Sequence, residues 1–96
     1  MYRNNYQVKE AVILLEHVVA IKVQTVAEDH PLRLTSQHAL TTVYAANDQV
    51  KKAVALLEHV VAIQKRTLDE GHPNRVASQQ WLAYLTDALD RGLLST

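Results

Sequence analysis

The sequence repeats itself with an offset of 42 residues, and this internal repeat restricts the possible folds more than any other feature. Three short segments return unchanged: 16–21 as 58–63, 30–31 as 72–73, and 36–37 as 78–79. When residues 7–43 are aligned with 49–85, about 21 of the 37 positions are identical, which is far above chance. Repeats of this length typically form solenoids, in which each unit buries its apolar face against the next.

Each repeat unit is predicted to contain two helices joined by a short turn. In the first helix, apolar residues recur at intervals of three and four, and they cover most of its circumference, which indicates burial on several sides. Pro31 suits the first turn of the second helix, because its missing N–H needs no partner there. We expect Asp48 to be the N-cap of the third helix and Gly92 the C-cap of the fourth. The four helices are expected at about 7–28, 31–46, 49–69 and 73–91.

The composition argues against several classes of protein. Lys plus Arg and Asp plus Glu both number 10, so the formal net charge is zero and a nucleic-acid partner is not expected. Cysteine is absent, so neither disulfides nor thiolate metal sites can form. Because the sequence shows no signal peptide and no apolar run that would span a membrane, we expect a cytoplasmic protein. With no Phe and one Trp, its core must consist mainly of Val, Leu, Ile and Ala.

The repeat unit resembles a long tetratricopeptide-like repeat, of the kind found in kinesin light chains and in the C-terminal repeats of fungal NOD-like receptors. The resemblance is carried by Lys9–Glu16 and its copy Lys51–Glu58, and by the repeated Ala-Ile and His-Pro pairs. It implies an all-α fold in which antiparallel helix-turn-helix repeats stack as an α-solenoid of about four helices, in B-A-B-A order. Residues 1–96 would form one segment, with repeat units at about 2–43 and 44–85 and a C-terminal capping helix at about 73–91.

The same resemblance implies a function and a site. In such solenoids the A-type helices, here the second and fourth, line a concave groove that binds a peptide or a partner helix. A non-enzymatic protein-interaction or scaffold module is therefore expected. The positions that match groove-facing ones are Thr35, His38 and Thr42 in the second helix, and Ala77, Gln80, Tyr84 and Asp87 in the fourth. The asparagine pair of kinesin-type repeats is replaced by His38-Ala39 and Gln80-Trp81.

The order of the helices predicts an alternative function, which is self-assembly. The first helix is B-type, no A-type helix precedes it, and its apolar face carries no polar cap of the kind a solenoid end needs. The fourth helix departs from the repeat with Trp81, Asp87 and Asp90, which is typical of a terminal cap. We therefore expect either the C-terminal part of a longer array or a chain that pairs through helix 7–28, giving a homodimer or an extended array.

Five histidines raise the question of a metal or catalytic site. His17 and His59 lie one repeat apart, which is too far for both to bind one ion at bond lengths of about 2 Å. His30 and His72 precede Pro at the starts of helices, where capping or loop contacts are expected. The sequence has no glycine-rich phosphate loop and no His-Glu-x-x-His motif. We therefore predict no catalytic residue, no metal and no cofactor.

Two further residue types are candidates for a binding role. Arg33 and Arg75 follow the two histidines at the same interval, and they fit either an acidic partner or, more simply, contacts with the preceding loop. Trp81, the single Trp, fits either a binding hot spot or a cover over the end of the core, and we favour the core.

Overall fold

The computed structural model describes residues 5–92, which form four helices. They are α1 (Asn5–Thr25), α2 (Pro31–Ala46), α3 (Val50–Thr67) and α4 (Pro73–Asp90). Each helix packs against the next one along the chain, so α2 lies between α1 and α3, and α3 lies between α2 and α4. The short connections make neighbouring helices antiparallel. The predicted all-α stack of helix-turn-helix repeats is confirmed.

The two connections between helices of the same repeat unit are built alike. Both begin a few residues earlier than predicted, because a turn closes before each histidine. The His30 N–H donates to the carbonyl of Ala27 at 3.0 Å, and the His72 N–H donates to the carbonyl of Asp69 at 2.9 Å. These turns use residues that the sequence patterns had assigned to the ends of α1 and α3. The prediction of 31–46 for α2 is confirmed at both ends.

The histidines before the prolines cap the helices that follow them. His30 and His72 have extended backbones, with ψ of 132° and 130°, as expected for a residue before Pro. The Nδ1 atom of each ring accepts a hydrogen bond from a first-turn N–H, that of Leu32 or of Asn74, at 3.1 Å. The capping role predicted for these two histidines is confirmed.

The turn between α2 and α3 differs from the prediction at Asp48. Asp48 adopts a left-handed conformation with φ of 59°, and the N-cap of α3 is Gln49, whose side chain makes no capping hydrogen bond. The prediction of Asp48 as the N-cap was wrong because Asp48 ends α2 instead. Its N–H donates to Ala45 and that of Gln49 donates to Tyr44, which is the hydrogen-bond pattern of a Schellman motif. After α4 the C-cap is Arg91, and Gly92 follows it in the left-handed conformation with φ of 73°, so the predicted glycine lies one residue beyond the C-cap.

The core is centred on α3, and it consists of small and branched apolar side chains, as predicted. The principal cluster contains Ala53, Leu57, Val60 and Val61 of α3 with Leu85 of α4, and side chains of α2 pack against it. A second cluster, formed by Val12, Leu40 and Val43, joins α1 to α2. Within residues 5–92, no helix is long and apolar enough to cross a membrane.

Candidate functional site

The exposed side of α2 carries the three predicted groove residues of that helix. Thr35, His38 and Thr42 are all exposed, whereas the adjoining residues Leu40 and Thr41 are buried. Because α1 and α3 pack against other sides of the helix, this stripe remains accessible to a partner.

The corresponding side of α4 is exposed as well, and it is richer in large side chains. Ala77, Gln80, Tyr84 and Asp87 are all accessible, and 63% of Tyr84 is exposed. Asp87 also lies beside a cavity of about 500 Å³ on the outer side of α3 and α4, and its carboxylate forms an ion pair with Arg91, with 3.1 Å between Oδ2 and Nε. Asp87 therefore lies at the edge of the α4 surface.

An aromatic contact joins the two stripes. The rings of His38 on α2 and Trp81 on α4 lie with their centroids 4.9 Å apart and their planes tilted by 50°. Trp81 is half-buried and packs against the α3 cluster, so the predicted core role of Trp81 is confirmed. The contact with His38 was not predicted. It brings the α2 and α4 stripes together into one surface, here called the α2–α4 face, with members Thr35, His38, Thr42, Ala77, Gln80, Trp81, Tyr84 and Asp87.

Tyr44 links three helices through polar contacts that sequence reasoning missed. Its hydroxyl donates to Oε2 of Glu16 on α1 at 2.6 Å, and Nζ of Lys52 on α3 lies 5.7 Å from the centre of its ring. Burial of the phenol and, secondly, its hydrogen bond to the Glu16 carboxylate raise the pKa of Tyr44 to about 12. The second repeat unit has Thr86 at the equivalent position, so the repeat pattern gave no signal for this contact.

Replacement of Tyr44 by Phe tests this link. We expect Tyr44→Phe to lower the free energy of unfolding by roughly 1 kcal/mol at neutral pH, because one hydrogen bond between largely accessible groups is lost. The folded-state pKa of about 12 lies above the usual value of 10, so the protonated phenol stabilises the fold fully below pH 10, and this contribution is lost as the pH rises to 12. Urea titrations should therefore show that the wild type loses more stability over this range than Tyr44→Phe. Equal losses would show that neither the burial of the Tyr44 hydroxyl nor its hydrogen bond to Glu16 favours the protonated phenol in the fold.

Arginine side chains close the two turns. Nη1 of Arg33 donates to the carbonyl of Val26 at 3.4 Å, and Nη1 of Arg75 donates to the carbonyl of Leu68 at 3.1 Å. The predicted loop-pairing role of the two arginines is therefore confirmed. A further hydrogen bond, from Arg66 to Glu28 at 2.5 Å, ties the first turn to α3 and lowers the pKa of the Glu28 carboxyl.

The outer side of α1 presents a second accessible surface, and it is apolar. Tyr6, Ile13, Leu14 and Ile21 are all exposed. Ile13 and Leu14 also line a depression of about 340 Å³ together with Glu10 and His17. α1 packs against α2 alone among the described helices, so its other side faces solvent.

The histidines are dispersed over the described part of the chain. Among residues 5–92, no group of three or more His, Asp or Glu side chains is placed to hold a metal ion. His17 and His59 are exposed on their separate helices, while His30 and His72 are occupied as caps.

Comparison with known proteins gives two kinds of match. The family model for the tetratricopeptide repeat matches residues 1–32 and 33–74. Two crystal structures of nearly identical TPR-like repeats from Podosopora anserina, named after kinesin light chain, superpose with TM-scores of 0.84 and 0.85, each at 55% sequence identity. Each alignment covers 91% of this chain but 41% of the other, so the chain spans less than half the length of these relatives. A search of curated proteins gave no match.

Proposed function

The chain belongs to the tetratricopeptide repeat family, and from this premise we propose that it is a non-enzymatic module that binds a peptide or a partner helix on its α2–α4 face. Repeats of this family are generally protein-interaction modules, and the fold alone does not define the ligand. The observation that supports this face is the contact between His38 and Trp81, which joins the exposed stripes of two helices that belong to different repeat units.

The side chains of this face suit a ligand that is recognised through hydrogen bonds and aromatic contacts. The hydroxyl of Thr35 and the amide of Gln80 can each donate and accept, whereas the hydroxyl of Thr42 donates to the carbonyl of His38 at 3.1 Å and offers a ligand an acceptor. Tyr84 adds a large accessible ring with a polar end, a type of side chain that is enriched where proteins bind each other. Asp87 is the one charged side chain of the face. An uncharged or weakly basic segment therefore fits this surface better than an acidic one.

Selection from a random peptide library tests the proposal. Peptides that bind the immobilised chain are to be measured against the variant that combines His38→Ala, Gln80→Ala and Tyr84→Ala. We expect this variant to bind at least about tenfold more weakly, because the three substitutions remove the central contacts of the face. Since all three side chains are exposed, its helix content should stay close to that of the wild type.

The control variant carries Lys51→Ala and Glu58→Ala, which alter exposed positions of α3. It should retain the affinity of the wild type. If both variants bind the selected peptides as tightly as the wild type does, the α2–α4 face is not the binding surface.

The exposed apolar side chains of α1 favour a second candidate function, which is self-assembly. Large apolar patches on a protein surface commonly mark sites of association. Sedimentation velocity across a wide range of concentrations tests this function, because a self-associating chain shifts to larger species as its concentration rises. A compact monomer at every concentration would rule it out.

A further inference from the structure

Six exposed side chains form a single stripe along α1, here called the α1 stripe: Tyr6, Glu10, Ile13, Leu14, His17 and Ile21. Their spacing by three and four residues places them on one side of the helix. The four apolar members are 69%, 68%, 63% and 44% exposed, for Tyr6, Ile13, Leu14 and Ile21 in turn. Four large apolar side chains with this degree of exposure are typical of a binding surface.

The second repeat unit shows how much of the α1 stripe a stacked neighbour would cover. At the positions of Leu14 and Ile21, α3 has Leu56 and Ile63. Leu56 is half-buried and packs against the cluster between α1 and α2, and Ile63 is 1% exposed. Stacking of an A-type helix therefore accounts for apolar residues at these two positions.

Stacking does not account for the other two apolar members. At the positions of Tyr6 and Ile13, the second repeat unit has Asp48 and Ala55. Ala55 is exposed although α3 is packed between two helices, and Asp48 is exposed in the turn that precedes α3. A preceding repeat unit would therefore leave Tyr6 and Ile13 in solvent, and the repeat architecture gives no reason for large apolar side chains there.

The residues of the α1 stripe are spaced symmetrically about the midpoint between Ile13 and Leu14. From Tyr6 to Ile21 the intervals are 4, 3, 1, 3 and 4 residues. When two such helices are placed antiparallel with a two-fold axis between Ile13 and Leu14, each position of one helix meets a position of the other. The resulting pairs between copies are Tyr6 with Ile21, Glu10 with His17, and Ile13 with Leu14.

We propose that the α1 stripe binds the α1 stripe of a second copy of this chain, antiparallel and about a two-fold axis between Ile13 and Leu14. The central pairs are apolar, and on each side of them the Glu10 carboxylate of one copy meets the His17 ring of the other. An arrangement in which the same surface serves both partners is the usual form of a homodimer. The inference rests on the self-assembly function and specifies its partner.

The opposite end of the stack explains why the assembly closes as a dimer. In a head-to-tail array, α1 of one copy would pack against α4 of the next, as α3 packs against α2. α2 contributes Tyr44 and Ala45 to that contact, but α4 has Thr86 and Asp87 at the equivalent positions, beside an open cavity. The α4 end therefore lacks the apolar side chains that α1 would need.

Sedimentation velocity of the wild type and two lysine variants tests the surface. We expect the wild type to shift from monomer to dimer as its concentration rises. Ile13→Lys should remain monomeric up to at least about tenfold higher concentration, because it places two ammonium groups at the apolar centre of the interface. The matched control is Ala55→Lys, which changes the equivalent exposed position of α3 and should dimerise as the wild type does.

A charge exchange tests the antiparallel pairing. His17→Glu alone should weaken the dimer about tenfold, since it places two carboxylates against each other at each Glu10 contact, and Glu10→Lys alone should weaken it because it removes the carboxylate that the His17 ring meets. The double variant should recover most of the wild-type affinity, because the introduced ammonium and carboxylate groups attract each other across the interface. The second repeat unit carries Lys52 at the position of Glu10, so Glu10→Lys is compatible with the helix.

Each contrary outcome overturns a defined part of the inference. A wild type that is monomeric throughout would overturn the self-assembly function and the pairing together. A dimer that persists in Ile13→Lys would show that another surface is used. Loss of the dimer in Ile13→Lys without recovery in the charge-exchange variant would overturn the antiparallel pairing. None of these results bears on peptide binding by the α2–α4 face, which is tested with other residues.

Discussion

Leu57→Ala is expected to lower the free energy of unfolding by about 3–4 kcal/mol. Leu57 is 0% exposed and lies in the principal cluster of the core, with helices packed on both sides of α3. Removal of its isobutyl group leaves a cavity that few neighbours can fill, so both the transfer energy and the packing are lost. For a chain of this size the change is a large share of the total stability. Urea denaturation followed by circular dichroism measures it.

The first repeat unit supplies the matched control for this prediction. Leu15 occupies the same position in α1, within a segment of almost identical sequence, but it is only partly buried. Leu15→Ala should therefore cost about 1–2 kcal/mol when measured at a low protein concentration, where the chain is monomeric. Equal losses in the two variants would contradict the conclusion that α3, and not α1, is the centre of the stack.

Trp81→Ala is expected to produce the second largest loss, roughly 2–3 kcal/mol. The indole packs against the cluster formed by α3 and α4 and reaches His38 on α2, so its removal exposes the core between the two repeat units. Because the variant has no Trp, its unfolding must be followed by circular dichroism. Trp81→Phe, which retains a ring, should recover part of the lost stability.

His38→Ala distinguishes the role of the exposed His38 ring from that of the half-buried Trp81 ring. His38 is exposed, so its removal should cost less than about 1 kcal/mol while it weakens peptide binding. If Trp81→Ala proves as stable as the wild type, the indole does not support the core, and the role of Trp81 would be confined to the α2–α4 face.

Sequence periodicity predicted the helices well, because each signal was local and occurred twice. The His-Pro steps fixed the starts of α2 and α4, and both histidines act as caps. The error at Asp48 arose where two local signals competed for one residue. An Asp before a helix is a good N-cap, but α2 needed a left-handed residue at its C-terminal end, and Asp48 adopts that conformation.

Contacts between distant segments were not predictable in the same way. The hydrogen bond from Tyr44 to Glu16 and the contact of His38 with Trp81 join helices whose relative placement the sequence does not state. Neither contact is repeated, since the second unit has Thr86 and the first has Ala39 at the equivalent positions. The internal repeat therefore gave no second example from which to recognise them.

The environments of the two B-type helices illustrate a further limit. Ile21 and Ile63 lie in identical hexapeptides, yet Ile21 is 44% exposed and Ile63 is 1% exposed. The difference depends on how many helices pack against each one, which is a property of the stack and not of the local sequence. The sequence predicted that α1 would lack a cover, but only the structure shows which of its side chains are left accessible.

The most direct test of the proposed function is a map of amide chemical-shift changes when a selected peptide is added to the folded chain. Binding to the α2–α4 face predicts that the largest changes occur in α2 and α4, around Thr35, His38, Thr42, Gln80 and Tyr84, with small changes along α1. If the largest changes instead follow the α1 stripe and leave α2 and α4 unchanged, the chain binds its partners through α1, and the proposed binding by the α2–α4 face is wrong.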